Sequence, residues 1–589
     1  MNLFDVFSMA GGLALFLFGM QMLGDGLSRI SGGRLEKILE RLTSSPIKGV
    51  LLGVGVTAVI QSSSASTVMV VGFVNSGIMK LNQAVSIIMG ANIGTTVTSW
   101  ILSLTGIESD NFWVQLLKPT SFSPVLAFVG VLLFLFSKKE IRKNTGTILL
   151  GFAVLMYGMD AMSAAVKPLS DVPEFTNILF LFQNPFMGML AGAFLTAIVQ
   201  SSSASVGILQ ALSATGAVRF SLIVPVIMGQ NIGTCITAML SSIGASKNAK
   251  RTALVHLYFN IIGTIIFMLV FYTLNAFVSF PFMERPANAF DIAFIHSLFN
   301  IAATIVLLPF SRGLVKLANM TVKNEEKEET DTQRDLMLRL LDERFLDTPS
   351  LALDHCRKAS LKMAKMAKEV LFMAMEQFGE YSREREKEIF DMEKEVDGYE
   401  DALGTYLVKL GFKNLSEKDS HMISVLLHTI GDFERISDHA VNVSQSAKEV
   451  YEKKMSFSKK AGEELEILMN AVKEIVDTAT AAFDDYDLKL AFLVEPLEEV
   501  IDDINIEMKS RHIKRLRKGR CTIEMGFVLS DVTTNLERVA DHCSNIAVCL
   551  LQVNEESFDT HEYLGTLKKS RDSDYEAHRM LYGNKYALP

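Results

Sequence analysis

A ten-residue element occurs twice in this chain, each time inside an apolar stretch that carries no charge. TAVIQSSSAS at 57–66 returns as TAIVQSSSAS at 196–205, an offset of 139 residues. A second element keeps the same offset: MGANIGTTVT at 89–98 returns as MGQNIGTCIT at 228–237. Gly12, Gly19, Met20, Pro46, Gly53 and Gly77 match Gly151, Gly158, Met159, Pro185, Gly192 and Gly216. A gap-free correspondence of this length is a duplication. The host stretches, 46–79 and 185–218, have no charge between Lys48 and Lys80 or between Pro185 and Arg219. Each is too long for one membrane span of about 20 residues and too short for two spans and a turn. Each is interrupted in the middle by small polar residues, Ser62–Ser66 and Ser201–Ser205. A re-entrant helical hairpin fits that length and that break. Irregular backbone at membrane depth is tolerable only where protein buries it or it lines a cavity.

The chain of 589 residues divides by charge. Residues 1–320 hold 19 Lys+Arg and 12 Asp+Glu; of the totals of 57 and 66, that leaves 38 and 54 for 321–589, a net of −16. An apolar half therefore precedes an acidic, hydrated half, whose charge argues against nucleic acid as a partner. Cys235, Cys356, Cys521, Cys543 and Cys549 contain no CxxC pair, so no zinc knuckle or disulfide framework is expected. The N-terminal segment lacks a basic n-region and reads as a retained span.

Further spans are expected at about 4–24, 83–104, 121–137, 145–166, 220–242, 252–278 and 290–310. Basic residues cluster at Arg29, Arg34, Lys37, Arg41 and Lys48, at Lys138, Lys139, Arg142 and Lys143, at Lys247, Lys250 and Arg251, and at Arg312, Lys316 and Lys323. The stretches 105–120, 167–184 and 279–289 are poorer in them. The positive-inside rule places the four clusters in the cytoplasm, the N-terminus outside and the acidic half inside. Three crossings then separate the first span from its copy, and an odd number inverts the repeat. Inverted repeats with broken helices are the architecture of many secondary transporters, with the site near the bilayer midplane.

A broken helix supplies free N–H groups and a dipole that favour an anion. The hydroxyls of Ser62, Ser63 and Ser64 and of Ser201, Ser202 and Ser203 can add donors, enough for two facing tips to surround a tetrahedral oxyanion. No Lys or Arg lies between Lys48 and Lys80 or between Pro185 and Arg219, so the buried anion needs compensating cations. Gln61, Gln200, Thr57, Thr196, Asn92, Asn231, Thr95 and Thr234 offer neutral oxygens suited to an alkali cation. The competing reading makes these residues ordinary helix-packing positions in a membrane; a charge-free QSSSAS run repeated at a fixed offset favours the site. Asp160, with Gln21 at its repeat position, is either a cation or proton site or a water-facing residue. His256, Asn260 and Thr264 echo His296, Asn300 and Thr304, and interhelical hydrogen bonding is the preferred reading.

The paired QSSS elements, each followed by G-x-N-I-G-T, resemble the sodium–phosphate cotransporter family over about residues 5–310. The resemblance implies that two facing QSSS hairpins bind inorganic phosphate and Na+. Gln61–Ser64 and Gln200–Ser203 would line the site, with Asn92 and Asn231 at the substrate. Gln61, Gln200, Thr57, Thr196, Thr95 and Thr234 would take sodium. Two departures bear on cation number: Ala65 and Ala204 follow the serines, and Cys235 replaces the second Thr of the first copy's GTT.

Beyond a charged linker the pattern is helical, at about 345–379, 382–411, 417–453, 457–484, 486–518 and 521–553. FERISDHAVNVS at 433–444 aligns with LERVADHCSNIA at 536–547, and Glu393/Asp397 and Glu498/Asp502 repeat an ExxxD pattern. Glu434/Asp438 and Glu537/Asp541 each project from one helical face. They can bind Mg²⁺, Mn²⁺ or iron, or pair with Arg435 and Arg538 on a solvated face. These copies resemble the PhoU family, which implies a metal site and regulation of phosphate uptake.

The expected fold is all-α: a polytopic helical membrane domain built from two inverted repeats with re-entrant hairpins, followed by a cytosolic pair of three-helix bundles. The expected divisions are a transport domain at 1–315 with repeats about 5–137 and 145–279, a linker at 316–340, a PhoU-like domain at 341–556 and a tail at 557–589 whose Tyr563, Tyr575, Tyr582 and Tyr586 have no assigned role. The expected function is sodium-coupled phosphate symport by alternating access across a bacterial inner membrane. Alternatives are a phosphate exporter, a proton-coupled carrier, and a membrane-anchored phosphate or metal sensor. No P-loop or nucleophile–base constellation points to an enzyme. The expected partners are phosphate and the lipid bilayer, with a homodimer and phosphate-signalling proteins left open.

Overall fold

The computed structural model describes residues 3–31, 45–106, 118–323, 338–413, 415–552 and 573–589. Arg34, Lys37 and Arg41, residues 107–117, most of the expected linker and Tyr563 lie outside them. The described residues are almost wholly helical and contain no β-strand. The chain forms two compact units, Met1–Thr330 and Asp331–Pro589.

The first unit contains α1 (Leu3–Ser31), α2 (Pro46–Ile60), α3 (Ser63–Asn75), α4 (Leu81–Ser103), α5 (Pro119–Phe136) and α6 (Glu140–Val166). It continues with α7 (Pro173–Leu181), α8 (Pro185–Val199), α9 (Ser202–Ser213), α10 (Phe220–Ser241), α11 (Lys247–Val278), α12 (Ala289–Leu307) and α13 (Ser311–Thr321). Among the described residues, six segments are long and apolar enough to cross a bilayer: Phe4–Ile30, Leu81–Gly106, Glu140–Leu169, Phe220–Ser241, Lys247–Val278 and Ala289–Thr321. The seventh expected span is α5, whose 18 residues reach about 27 Å. Helix α13 occupies the first residues of the expected linker.

Each serine-rich stretch breaks into two short helices. α2 has 15 residues and α3 has 13, or about 22 and 20 Å at the helical rise, so neither crosses a hydrocarbon core of about 30 Å alone. Glycine contacts show the direction in which the chain leaves the break. A Cβ on Gly90 would strike the Val50 carbonyl, and one on Gly94 would strike the Val54 carbonyl and Thr57. Residue numbers rise together along both helices, so α2 and α4 are parallel. The chain must therefore return to its starting side between Ile60 and Leu81, and α3 makes that return. The second copy is built alike: Gly229 abuts Met189 and Gly233 abuts Ala193 and Thr196, so α8 and α10 are parallel and α9 returns. Both stretches are re-entrant.

The inversion is equally direct. Gly12 packs on Gly158 and Gly19 on Gly151. Gly151 and Gly158 are the repeat counterparts of Gly12 and Gly19, so α1 and α6 are antiparallel mates crossing on a pseudo-two-fold axis. Side chains at these positions would force the backbones apart, which is why small residues mark the crossing. The end of the first hairpin is placed by Asn75 Oδ1, which accepts from Ser246 N at 2.8 Å. That hairpin thus returns to the side that carries Lys247, Lys250 and Arg251.

The second unit contains α14 (Pro349–Glu376), α15 (Arg383–Gly411), α16 (Glu417–Glu452), α17 (Lys459–Asp485), α18 (Leu488–Arg517) and α19 (Ile523–Leu551), as two three-helix sets. Leu403, Phe433, Leu468, Phe483 and Leu536 are among the side chains that fill its core. A further helix, α20 (Ser573–Lys585), lies in the tail. Its buried Tyr575 and Tyr582, with Tyr586 just beyond, are spaced on one face. Arg579 pairs with Glu499 at 2.8 Å and Asp503 at 2.9 Å, and Lys585 with Glu474 at 2.6 Å.

The parallel packing of α2 on α4 has a direct test. Gly90→Leu should lower the thermal midpoint of the purified protein in detergent, since overpacking a close contact costs about 1–3 kcal/mol. Gly55→Leu on α2, where a Cβ meets nothing within 4 Å, should leave the midpoint within a degree or two. Equal effects at both positions would contradict the packing.

Candidate functional site: two facing helix breaks

Helix α2 ends because Gln61 turns left-handed, with φ 58°, and its N–H bonds back to the Thr57 carbonyl at 2.8 Å. Gln200 does the same with φ 56°, its N–H bonding Thr196 O at 2.7 Å. This region is uncommon for any residue but glycine and costs about 1 kcal/mol or more per residue. Two symmetric occurrences, each in the middle of an apolar stretch, mark positions where the backbone is turned for a purpose.

The residues that follow are N-caps. Ser62 accepts from Ala65 N at 3.1 Å, and Ser201 from Ala204 N at 3.2 Å. The caps leave the first-turn N–H groups of Ser63 and Ser64, and of Ser202 and Ser203, without intrahelical acceptors. The two helix starts meet. Ser63 Oγ lies 3.4 Å from Ser202 Oγ, and these are repeat counterparts on the pseudo-two-fold axis. Ser64 Oγ donates to the Gln200 carbonyl at 3.5 Å. Ser63, Ser202 and Ser203 are buried; Ser62, Ser64 and Ser201 are half-buried. The arrangement brings two dipole-positive helix ends and up to six serine hydroxyls to one place, without a basic side chain.

The glutamines differ. Gln61 is buried, donating to the Ala58 carbonyl and accepting at Oε1 from Thr98 Oγ1 at 2.9 Å. Gln200 is exposed. Thr57 and Thr196 are 1% and 0% exposed, and neither Oγ1 has a hydrogen-bond partner among the described residues. A helical threonine ordinarily bonds its own preceding turn, so these two counterpart hydroxyls, like those of Thr264 and Thr304, are left without a partner among the described residues. Each abuts a glycine of the G-x-N-I-G-T element, Thr57 at Gly94 and Thr196 at Gly233.

The remaining expected residues support these. Thr95 Oγ1 bonds Ala91 O at 3.0 Å, and Thr234 Oγ1 bonds Gln230 O at 2.9 Å. Asn231 Nδ2 donates to Ile227 O at 2.9 Å. Asn92 is tied to α11: its Nδ2 donates to Asn260 Oδ1 at 3.0 Å and its Oδ1 faces His256 Nε2 at 3.3 Å. Asn260 also reaches Cys235 Sγ at 3.2 Å, and His296 Nδ1 meets Ser99 Oγ at 2.7 Å. Of the His/Asn/Thr echo, His256, Asn260 and His296 thus bond between helices, whereas Asn300 Nδ2 donates to His296 O in its own helix and the Thr264 and Thr304 hydroxyls have no partner among the described residues. Asp160 and Gln21 are both exposed on the surface of the unit.

Two site residues escaped the sequence reading. Thr98 holds Gln61, and its counterpart Thr237 donates to Ser64 Oγ at 3.4 Å. They are the last residues of the repeated MGxNIGTxxT decapeptides, and that shared terminal threonine was the available signal.

In the second unit the carboxylates group differently from the expected set. Glu498, Asp502 and Asp541 bring ligand oxygens within 4.8 Å of one another, the one such group of three among the described residues. Of Glu434, Asp438, Glu537 and Asp541, that group includes only Asp541. Glu537 is instead hydrogen-bonded by Asn505, and Glu434 and Asp438 flank Arg435 at 3.4 and 3.6 Å. The reason is geometric: i, i+4 spacing places two acids on one face of α19 but does not say which acids the neighbouring helix presents. α18 presents Glu498 and Asp502. An all-oxygen set suits a hard divalent cation. The first-repeat counterparts, Glu393, Asp397 and Asp438, also interact: burial and the charges of Asp438 and Asp397 raise the Glu393 carboxyl above its usual range. Burial, with Asp438 next, pushes Glu434 up to about 7. Unneutralised, such a carboxylate lowers stability progressively as pH rises from the ordinary carboxylate range to about 7, above which the loss is complete.

The fold and the paired breaks define a membrane carrier of the inverted-repeat kind. Residues 15–164 and 154–283 match the family model described as Na+/Pi-cotransporter, and residues 361–447 and 465–550 match the PhoU domain. The chain belongs to the Na+/Pi-cotransporter family and carries a PhoU domain after its membrane unit. It is 25% identical over 558 residues to YjbB of Escherichia coli, named for a proposed role in inorganic phosphate export, covering 94% of this chain and 98% of that one. YqeW of Bacillus subtilis is 31% identical over 312 residues, 53% of this chain and 96% of its own length. The rat sodium-dependent phosphate transport protein 2A is 37% identical over 99 residues, 16% of this chain and 15% of its own length.

Proposed function

We propose that the chain carries inorganic phosphate across a bacterial inner membrane together with Na+, by alternating access about the two helix breaks. The observation that carries this is the 3.4 Å approach of Ser63 to Ser202, which turns two neutral helix starts into one anion cage. Phosphate would accept from the first-turn N–H groups and from the hydroxyls of Ser62–Ser64 and Ser201–Ser203, with Asn92 and Asn231 bracing the cage from α4 and α10. Sodium would be bound by Gln61, Gln200, Thr57, Thr196, Thr95 and Thr234. Loading is coupled electrostatically. A phosphate held without cations leaves net charge at low dielectric, so the anion-only form is costly to move. Neutralisation by sodium makes the loaded form movable, and that is the physical basis of symport. The Escherichia coli and rat relatives are named for phosphate export and phosphate transport, in keeping with a carrier and not an enzyme.

Direction follows the gradients. An inward sodium gradient gives uptake; a steep outward phosphate gradient gives efflux through the same site. The full-length relative named for phosphate export favours the second reading in cells rich in phosphate. The positive-inside pattern supports an N-terminus outside and a cytoplasmic second unit. In this reading the second unit regulates the carrier and takes a divalent cation at Glu498, Asp502 and Asp541.

Two measurements check these assignments. In proteoliposomes, a sodium gradient should drive phosphate uptake that Ser63→Ala or Ser202→Ala lowers at least tenfold. Thr57→Val or Thr196→Val should mainly raise the sodium concentration needed. Phosphate flux indifferent to sodium would refute the coupling, and no flux in either direction under any gradient would leave only the sensor reading. For the second unit, Mn²⁺ should raise the thermal midpoint of the purified chain after chelation, and Glu498→Gln/Asp502→Asn should abolish the rise. A rise unchanged in that variant would remove the metal assignment.

A further inference from the structure

The second unit is strongly acidic, yet one segment of it is not. From Met508 to Ile523 there is no Asp or Glu, and residues 509–520 hold Lys509, Arg511, Lys514, Arg515, Arg517, Lys518 and Arg520. Structurally this is the tip of a helical hairpin. α18 ends at Arg517, Gly519 turns with φ 65°, and α19 starts at Ile523 behind its N-cap Thr522.

Part of this charge is used inside the unit. Arg515 pairs with the buried Glu464 at 2.7 Å, Arg511 pairs with Glu464 and Glu507, and Lys509 lies 3.8 Å from Glu537. The rest is not. Lys514, Arg517, Lys518 and Arg520 are exposed and make no ion pair among the described residues. Lys514 and Arg517 lie in the last turn of α18, where cations favour the helix dipole. Lys518 and Arg520 lie beyond the helix, so the dipole does not account for them. Large apolar side chains flank the cations on both sides of the turn: Ile513 is 51% exposed, Ile523 65% and Phe527 69%.

We propose that this hairpin tip docks on the anionic lipid surface of the membrane in which the chain itself is inserted. Uncommitted cations on a turn, with bulky apolar groups beside them, fit a surface that is negative in its headgroups and apolar just beneath. A soluble polyanion would use the cations but leave Ile523 and Phe527 in water. Each cation near an anionic leaflet contributes roughly fivefold in partitioning, so the four free ones suffice for a salt-sensitive, reversible contact. The rest of the unit, 31 basic and 54 acidic residues over 321–589 without this segment, is repelled by the same surface. Docking would therefore orient the unit by its tip.

The chain carries its own reporter. Cys521 lies at the tip and is half-exposed, whereas Cys235, Cys356, Cys543 and Cys549 are buried. The full-length protein, labelled at Cys521 with an environment-sensitive fluorophore, is reconstituted in nanodiscs of zwitterionic lipid or of lipid with about one-third phosphatidylglycerol. The emission should shift to the blue in the anionic discs only, and revert in about 0.5 M NaCl. Arg517→Gln/Lys518→Gln/Arg520→Gln should weaken docking on the order of a hundredfold and abolish the shift. Lys409→Gln/Lys413→Gln/Lys418→Gln, the same charge change at the far end of α16 from Glu452, should preserve it. Emission indifferent to lipid charge would overturn the proposal. So would a shift that survives the tip variant, or one that appears only on adding a soluble acidic polypeptide. Both leaflets of a nanodisc are accessible, so the outcome does not depend on the orientation or coupling of transport.

Discussion

Everything in the membrane unit is arranged around two backbone breaks held within hydroxyl distance of each other. A continuous helix hides its N–H groups in its own bonds. Interrupting it exposes them, which is unfavourable in hydrocarbon unless another group takes their place. Here Gln61 and Gln200 accept a left-handed conformation to make the interruption abrupt. The capping serines satisfy one donor at each break, and the others converge on the pseudo-two-fold axis. The glycine crossings of α1 on α6, α2 on α4 and α8 on α10 then hold the broken pieces at a fixed depth. A hydrated loop would not need such close packing.

Much of this was legible in the chain itself, for identifiable reasons. A charge-free stretch of intermediate length with serines at its centre has few solutions in a bilayer, and duplication at one offset shows that the solution was used twice. The helices of the second unit were equally clear because little Pro or Gly interrupts them. What the sequence could not convey was lateral neighbourhood. That Thr98 would hold Gln61 while Thr237 would hold Ser64 depends on how α4 and α10 rotate against the hairpins. The grouping of Glu498 and Asp502 with Asp541 was hidden for the same reason, since the first two come from a neighbouring helix. Helix α20 escaped notice because it is short and polar, with an apolar face made of tyrosines and closed by ion pairs to Glu474, Glu499 and Asp503.

The two copies are not equivalent, and the difference bears on mechanism. Gln61 is buried and bonded whereas Gln200 is exposed. Asn92 belongs to a network with His256 and Asn260, while Asn231 bonds only its own helix turn among the described contacts. An alternating-access carrier requires that its halves be similar enough to exchange roles and different enough to occupy distinct states at any moment. The orphaned hydroxyls of Thr57 and Thr196 are the symmetric element, and the glutamines the asymmetric one.

The central claim is that the two breaks jointly enclose the anion. Its most direct test is the oxidation rate of a Ser63→Cys/Ser202→Cys pair, in a Cys521→Ser background, in sodium-containing membranes. The account predicts a disulfide that forms readily without phosphate and markedly more slowly when phosphate occupies the space between the tips. A pair that never cross-links, or one that cross-links at the same rate with and without phosphate, would contradict it.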